Sequence, residues 1–174
     1  MEITWLTSPQ GAKDRAMWTI GKPSSPITIN QWEDYLTGEH SILHSVILSV
    51  KMTGLDQFSS VHFARHKHAD HYVASGRPDW TGKGRSLDDT KNHWMDANCQ
   101  ALIDIAKKRL CNRASAETHE AMSQIKFTLL KSEDHFMQVL STFLVPSCVY
   151  RGGRCFEGRR TCGMYPRVDR RFYV

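Results

Sequence analysis

Residues 42–52, Ile-Leu-His-Ser-Val-Ile-Leu-Ser-Val-Lys-Met, restrict the fold more than any other segment. The run is rich in β-branched residues and partly alternates apolar with polar, which predicts a strand with one buried face. A first strand is expected near 2–7. The chain is then expected to run as loop to about 29, because Pro9, Pro23 and Pro26 interrupt its short apolar runs. Gln31–Leu36 reads as a short helix. Gly54-Leu55-Asp56 reads as a turn, with Asp56 capping a helix through about Lys67. Residues 68–90, with Gly76, Pro78, Gly82 and Gly84, read as irregular loop.

Helical spacing dominates the second half. Trp94, Ala97, Ala101, Leu102, Ile105 and Ala106 predict a long helix over 89–111. A second helix is expected to start near Ser115, with Glu117 and Thr118 suiting its first turn. A third covers 133–144 and is expected to end at Pro146. The expectation is one domain over 1–146 and an irregular Cys/Arg-rich tail over 147–174.

At 174 residues the chain is long enough to bury a sizeable core. No apolar run approaches the roughly 20 residues of a membrane span, and the first residues lack the pattern of a signal peptide. These features argue against the membrane and exported classes and lead to the expectation of a cytoplasmic protein. The net charge is +5. Residues 151–174 carry seven Arg (151, 154, 159, 160, 167, 170, 171) against Glu157 and Asp169, so the tail holds the whole excess. The first 150 residues carry 16 charges of each sign. A neutral body argues against a duplex nucleic acid as the main partner.

Six of nine histidines, His40, His44, His62, His66, His68 and His71, crowd into 40–71. The segment is either a site or a His-rich polar face. On a helix over 89–111, Lys91, Asn98 and Arg109 fall 7 and 11 residues apart and share one stripe. That stripe is either a solvated face or part of an anion and amide site. Arg65-His66-Lys67 and Ser75-Gly76-Arg77 offer further anion donors: guanidinium forks, a hydroxyl, and a glycine that lets backbone come close. Together they suggest recognition of a phosphorylated ligand.

Arg65-His66-Lys67, then seven residues, then Ser75-Gly76-Arg77 resembles the Arg-His-Arg-x7-Ser-x-Arg signature of flavin-dependent thymidylate synthases. Gly38-Glu39-His40-Ser41-Ile42-Leu43-His44 before a strand looks like that family's His-centred segment. Trp94 to Leu102 resembles its Trp…Asn-x-x-x-Leu pattern, and Arg109 to Glu117 its Arg-x4-Ala-Gln-x-Glu run. Thr90-Lys91 resembles a phosphate-contacting Thr-Arg. The likeness covers roughly 37–120. The sequence departs from the pattern at Lys67 and Lys91 (Arg in the family), Val73 (Glu or Gln), Arg113 (often His) and Ser115 (Gln). The stretch from Arg77 to Trp94 is shorter, as in phage forms.

The resemblance implies an α/β (α+β) fold, a twisted antiparallel sheet flanked by helices, in a homotetramer with shared sites. It implies conversion of dUMP to dTMP, with FAD as cofactor and NADPH and methylenetetrahydrofolate as co-substrates. By resemblance, Arg109 is catalytic and binds the pyrimidine. Ser75, Gly76, Arg77 and Lys91 bind nucleotide. His44, Arg65, His66, Lys67, Asn98 and Arg113 lie on the flavin or folate side. Variants acting on dCMP or hydroxymethylating the base stay open. So do a non-catalytic nucleotide or nucleic-acid binder on this scaffold and a metal-stabilised interaction module. His62, His68 and His71 have no role in the resemblance and read as surface or packing residues. No metal site is expected. Cys99 and Cys111 read as core thiols; Cys148, Cys155 and Cys162 read as free thiols, with zinc or a disulfide as alternatives.

Overall fold

A computed structural model describes residues 1–74, 77–82, 86, 89–157 and 161–166. Its elements in chain order are β1 (Glu2–Thr7), α1 (Pro9–Thr19), α2 (Ile29–Thr37), a 3-10 turn (Ser41–His44), β2 (Ile47–Leu55), α3 (Gln57–Ala64) and β3 (Ala69–Val73). There follow α4 (Pro78–Thr81), β4 (Lys91–Asn98), α5 (Cys99–Arg109), α6 (Ala116–Leu130), α7 (His135–Phe143) and α8 (Ser147–Tyr150). The four strands form one antiparallel sheet in the order β1-β2-β4-β3. The fold is therefore α+β, an antiparallel sheet with helices, as expected.

The core lies between one sheet face and the helices. Leu48, Val50 and Met52 of β2 and Met95 and Ala97 of β4 point inward. They join Trp32 and Leu36 of α2, Phe63 of α3, Leu102 and Ile105 of α5, and Met122, Ile125 and Leu129 of α6. Burying each large apolar side chain contributes about 1.5–3 kcal/mol. Trp32 packs edge-on against Trp5 at 6.5 Å and donates its indole N–H to the Phe136 carbonyl at 3.0 Å. That bond satisfies a polar atom on a fully buried ring. On the other sheet face Trp94 and Tyr72 stay exposed.

Several expectations need correction. The loop expected before 29 contains α1. Pro9 is not a breaker there but sits at the head of the helix, where its missing N–H costs nothing, while the Ser8 hydroxyl accepts from Gly11 N–H at 3.2 Å. The strand expected over 42–52 starts only at Ile47; the preceding residues turn in a 3-10 helix whose Ile42 N–H donates to His40 Nδ1. Residues 69–73, expected to be irregular, are the edge strand β3. The helix expected over 89–111 is a strand as far as Asn98 and a helix only from Cys99. Residues 91–98 satisfy both periods: Trp94 and Ala97 fit a helix, but His93, Met95 and Ala97 alternate inward as in a strand. Pairing with β2 on one side and β3 on the other decides between them. After Phe143 the chain leaves α7, and Pro146 heads α8 rather than ending α7.

The remaining helices start where their capping residues predict. The Asp56 carboxylate accepts from Ser59 N–H at 2.9 Å, and the Asp134 carboxylate accepts from Phe136 N–H at 2.8 Å. α6 follows Ser115, whose hydroxyl pairs with the Thr118 hydroxyl at 2.7 Å.

Candidate functional site

Arg109, the last residue of α5, is clasped by the end of α3. Its Nη2 donates to the His62 carbonyl at 2.8 Å, and its Nε donates to His66 Nε2 at 3.1 Å. Burial and the neighbouring Arg65 both lower the Arg109 pKa. Arg65 is near enough for its charge to act on Arg109, and two like charges in one region would attract an anion. His66 Nε2 accepts from the guanidinium, so the imidazole proton sits on Nδ1. Burial, then the charge of Arg109, pushes the His66 pKa down to about 4. His66 is thus neutral near pH 7, with a free N–H to donate.

Behind it runs a directed chain of hydrogen bonds. His71 Nε2 lies 3.3 Å from the His66 carbonyl oxygen, an acceptor, so His71 carries its proton there. Its Nδ1 must then accept from His93 Nε2–H at 2.9 Å. His93 Nδ1 in turn accepts from the Ser60 hydroxyl at 3.0 Å. His93 is 1% exposed, and burial holds its pKa down at about 4. Burial also lowers the His71 pKa. A second cluster holds the other flank: His62 Nδ1 lies 2.8 Å from Thr118 Oγ1, which bonds Ser115.

The expected site residues divide on this frame. Arg65, His66 and Arg109 come together, and the exposed Lys67 adjoins them in sequence. Lys91, Asn98 and Arg109 do not share a helical stripe, because Lys91 opens β4, Asn98 caps α5 and Arg109 ends it. Asn98 and Arg109 are separated along α5 by about 16 Å, and Lys91 lies about 23 Å from Asn98 along β4. Asn98 Oδ1 accepts from Ala101 N–H at 2.8 Å, which leaves its amide NH2 to donate elsewhere. Lys91 faces Asp89 at 3.7 Å. His44 is exposed on the 3-10 turn. Arg77 grips Asp79, with Nε at 3.1 Å and Nη2 at 2.5 Å. Ser75 and Gly76 lie outside the described residues. Arg113 is exposed after α5 and donates to the Thr161 carbonyl at 3.1 Å, so the C-terminal segment folds onto it.

Of the crowded histidines, His66 and His71 join His93, His62 pairs with Thr118 on the other flank, His40 caps a turn, and His44 and His68 are exposed. Sequence reasoning misses Ser60 and His93 and reads Thr118 only as a first-turn residue. Reading 91–98 with a period of two would have turned His93 inward beside Met95. A partly open cavity of ≈ 160 Å³ lies not at His66 but further along, between the end of α5 and the C-terminal segment. Among the described residues no three His, Cys, Asp or Glu side chains are placed to hold a metal ion. No helix among them is long and apolar enough to cross a membrane.

No protein-family model and no curated protein matches this sequence. Solved structures do. A flavin-dependent thymidylate synthase, ThyX, from Helicobacter pylori complexed with FAD and dUMP is 14% identical, with a TM-score of 0.54 over 73% of this chain and 93% of that one. Another structure of Helicobacter pylori ThyX with FAD and dUMP is also 14% identical, with a TM-score of 0.60 over 83% of this chain and 99% of that one. At that identity the likeness is one of fold, and the fold is that of the flavin-dependent thymidylate synthases.

Proposed function

We propose that the chain is a flavin-dependent thymidylate synthase-like enzyme, a methyltransferase that converts dUMP to dTMP. The carrying observation is the docking of Arg109 on a neutral His66 beside Arg65, across 43 residues of sequence, within this fold. Methylenetetrahydrofolate is the one-carbon donor, and FAD, once reduced by NADPH, supplies the hydride.

The chain's own residues supply binding, orientation and charge. Two adjacent guanidinium groups, an exposed Lys67 and a neutral imidazole N–H fit an anionic, ring-bearing cofactor and nucleotide. Arg109 is the catalytic residue: held rigidly by His62 and His66, it would stabilise negative charge developing on the uracil ring. Ser75, Gly76, Arg77 and Lys91 hold the nucleotide in this reading. His44, Arg65, His66, Lys67, Asn98 with its spare amide donors, and Arg113 hold the flavin or folate. One copy keeps Lys91, Asn98 and Arg109 apart, as a site shared between subunits would, which supports a homotetramer. The working compartment in this reading is the cytoplasm.

The test is direct. Purified protein is expected to be yellow, or to gain flavin absorbance with FAD, and to oxidise NADPH when dUMP and methylenetetrahydrofolate are present. Colourless protein that does neither overturns the enzyme reading in favour of a non-catalytic binder. Feeding dUMP and dCMP separately, with the product identified by mass, separates thymidylate synthesis from methylation or hydroxymethylation of the other base.

A further inference from the structure

Four of the five cysteines reach one place. Cys111 follows α5, Cys148 lies in α8, and Cys155 and Cys162 belong to the segment beyond it; all four line the ≈ 160 Å³ cavity. Cys99 is sealed in the core. Among the described residues after 150, Cys155 alone is buried, at 6% exposure. A segment with so little core of its own commonly relies on a staple. No three of these thiols are placed to share an ion, which leaves pairing two at a time.

The backbone selects the pair. The Cys148 carbonyl accepts from Gly153 N–H at 2.7 Å and from Arg154 N–H at 3.2 Å. Gly152 and Gly153, at φ of 75° and 82°, make the tight reversal this requires, a conformation that other residues resist. The chain therefore returns to Cys148 at the residue before Cys155. Burial raises the Cys148 pKa, and the nearby Cys111 and Cys155 thiols add to the effect.

We infer that Cys148 and Cys155 form a reversible disulfide, an oxidative modification site that pins the C-terminal segment to α8. With hydrogen peroxide as oxidant, the partly exposed Cys148 thiolate takes one oxygen to become a sulfenic acid, releasing water after proton transfer. Cys155 sulfur then attacks it, the S–S bond forms, and the second oxygen leaves as water. Two thiols lose two hydrogens and two electrons, and one peroxide gives two waters. The raised pKa makes the first step slow at neutral pH and faster in alkali. The bond would lock in place a segment already held by Arg113 to Thr161 and by the Cys155 N–H to the Pro166 carbonyl at 2.9 Å.

The experiment is peptide mapping of the full chain after peroxide treatment, denaturation in guanidinium chloride so that every remaining thiol is accessible, alkylation with iodoacetamide and tryptic digestion without reduction. Arg151 and Arg154 lie between the two cysteines, so trypsin separates their peptides unless a disulfide joins them. The expected product is that linked pair, lighter by two hydrogens than its reduced halves, with alkylatable thiols falling from five to three. Dithiothreitol restores them. Cys155→Ser abolishes the link and Cys162→Ser leaves it. Cys148→Ser, at a partly exposed position, repeats the first test should loss of the buried Cys155 impair folding. Five thiols still reactive, a link from Cys148 to Cys111 or between chains, over-oxidised Cys148, or thiols shielded by a co-purified metal ion would each overturn the pairing. None of these readouts depends on flavin or nucleotide.

Discussion

The C-terminal end of α5 borders two neighbourhoods built on opposite plans. On one side Arg109, His66, His71, His93 and Ser60 interlock through hydrogen bonds spanning up to 43 residues of sequence, beside the fully buried Phe63. On the other, Cys111, Arg113 and the segment after α8 line a cavity with little packed core around it. The first is held rigidly because its hydrogen bonds run from residue to residue across four elements and its inner members, Ser60 and His93, are buried. The second is held by a few contacts to exposed residues. Only the first supplies the fixed geometry that preorganised charge stabilisation needs.

Four perturbations break or sharpen that contrast. Phe63→Ala removes the ring that meets His93 edge-on at 6.1 Å and should destabilise by about 3–5 kcal/mol, read as a shift in the urea midpoint. A change below 1 kcal/mol would mean that the polar network does not rest on that core. Arg109→Ala should leave the circular dichroism spectrum intact and lower kcat by about 10²–10³-fold. Normal turnover would remove Arg109 from the chemistry.

Acid should act on the histidine side. His66 and His93 have folded pKa values of about 4, below the ordinary 6.5. Between these values the unfolded chain binds more protons than the folded one, so stability falls as pH drops from 6.5 to 4. The loss is up to about 3 kcal/mol from the buried His93, with a smaller share from His66, where solvent screens the charge. Denaturant titrations across that window, with His93→Gln as control, check it; a flat profile would sink the neutral-imidazole assignment. The smallest effect belongs to the other side. Asn112→Ala removes a contact from Nδ2 to Met164 Sδ at an exposed position and should change stability by no more than about 0.5 kcal/mol.

The same contrast marks what the sequence makes legible. Local signals carry through: Asp56 caps α3, Ser115 precedes α6, and the β-branched run becomes most of β2. The failures come where a non-local partner decides. Residues 91–98 could follow either period until β2 and β3 flank them, and β3 is a short edge strand defined only by its neighbour. Pro9 can begin a helix or interrupt one, and the Ser8 cap settles which. At the site, motif spacing brings His66 and Arg109 to notice, but no spacing links Ser60 or His93 to them. That link exists only once β4 lies between β2 and β3.

The directed chain from Ser60 to the His66 carbonyl has a further consequence. A proton conductor must be able to reverse every donor and acceptor along its length after each passage. This one ends on an amide carbonyl, which can neither give up a proton nor usefully take one. Its polarity is therefore locked in a single sense, because reversing the links would set the His71 Nε2 lone pair against the His66 carbonyl oxygen. The row of imidazoles, which has the look of a relay, is electrically a dead end and mechanically a latch: it carries no current to Arg109 but fixes where His66 stands.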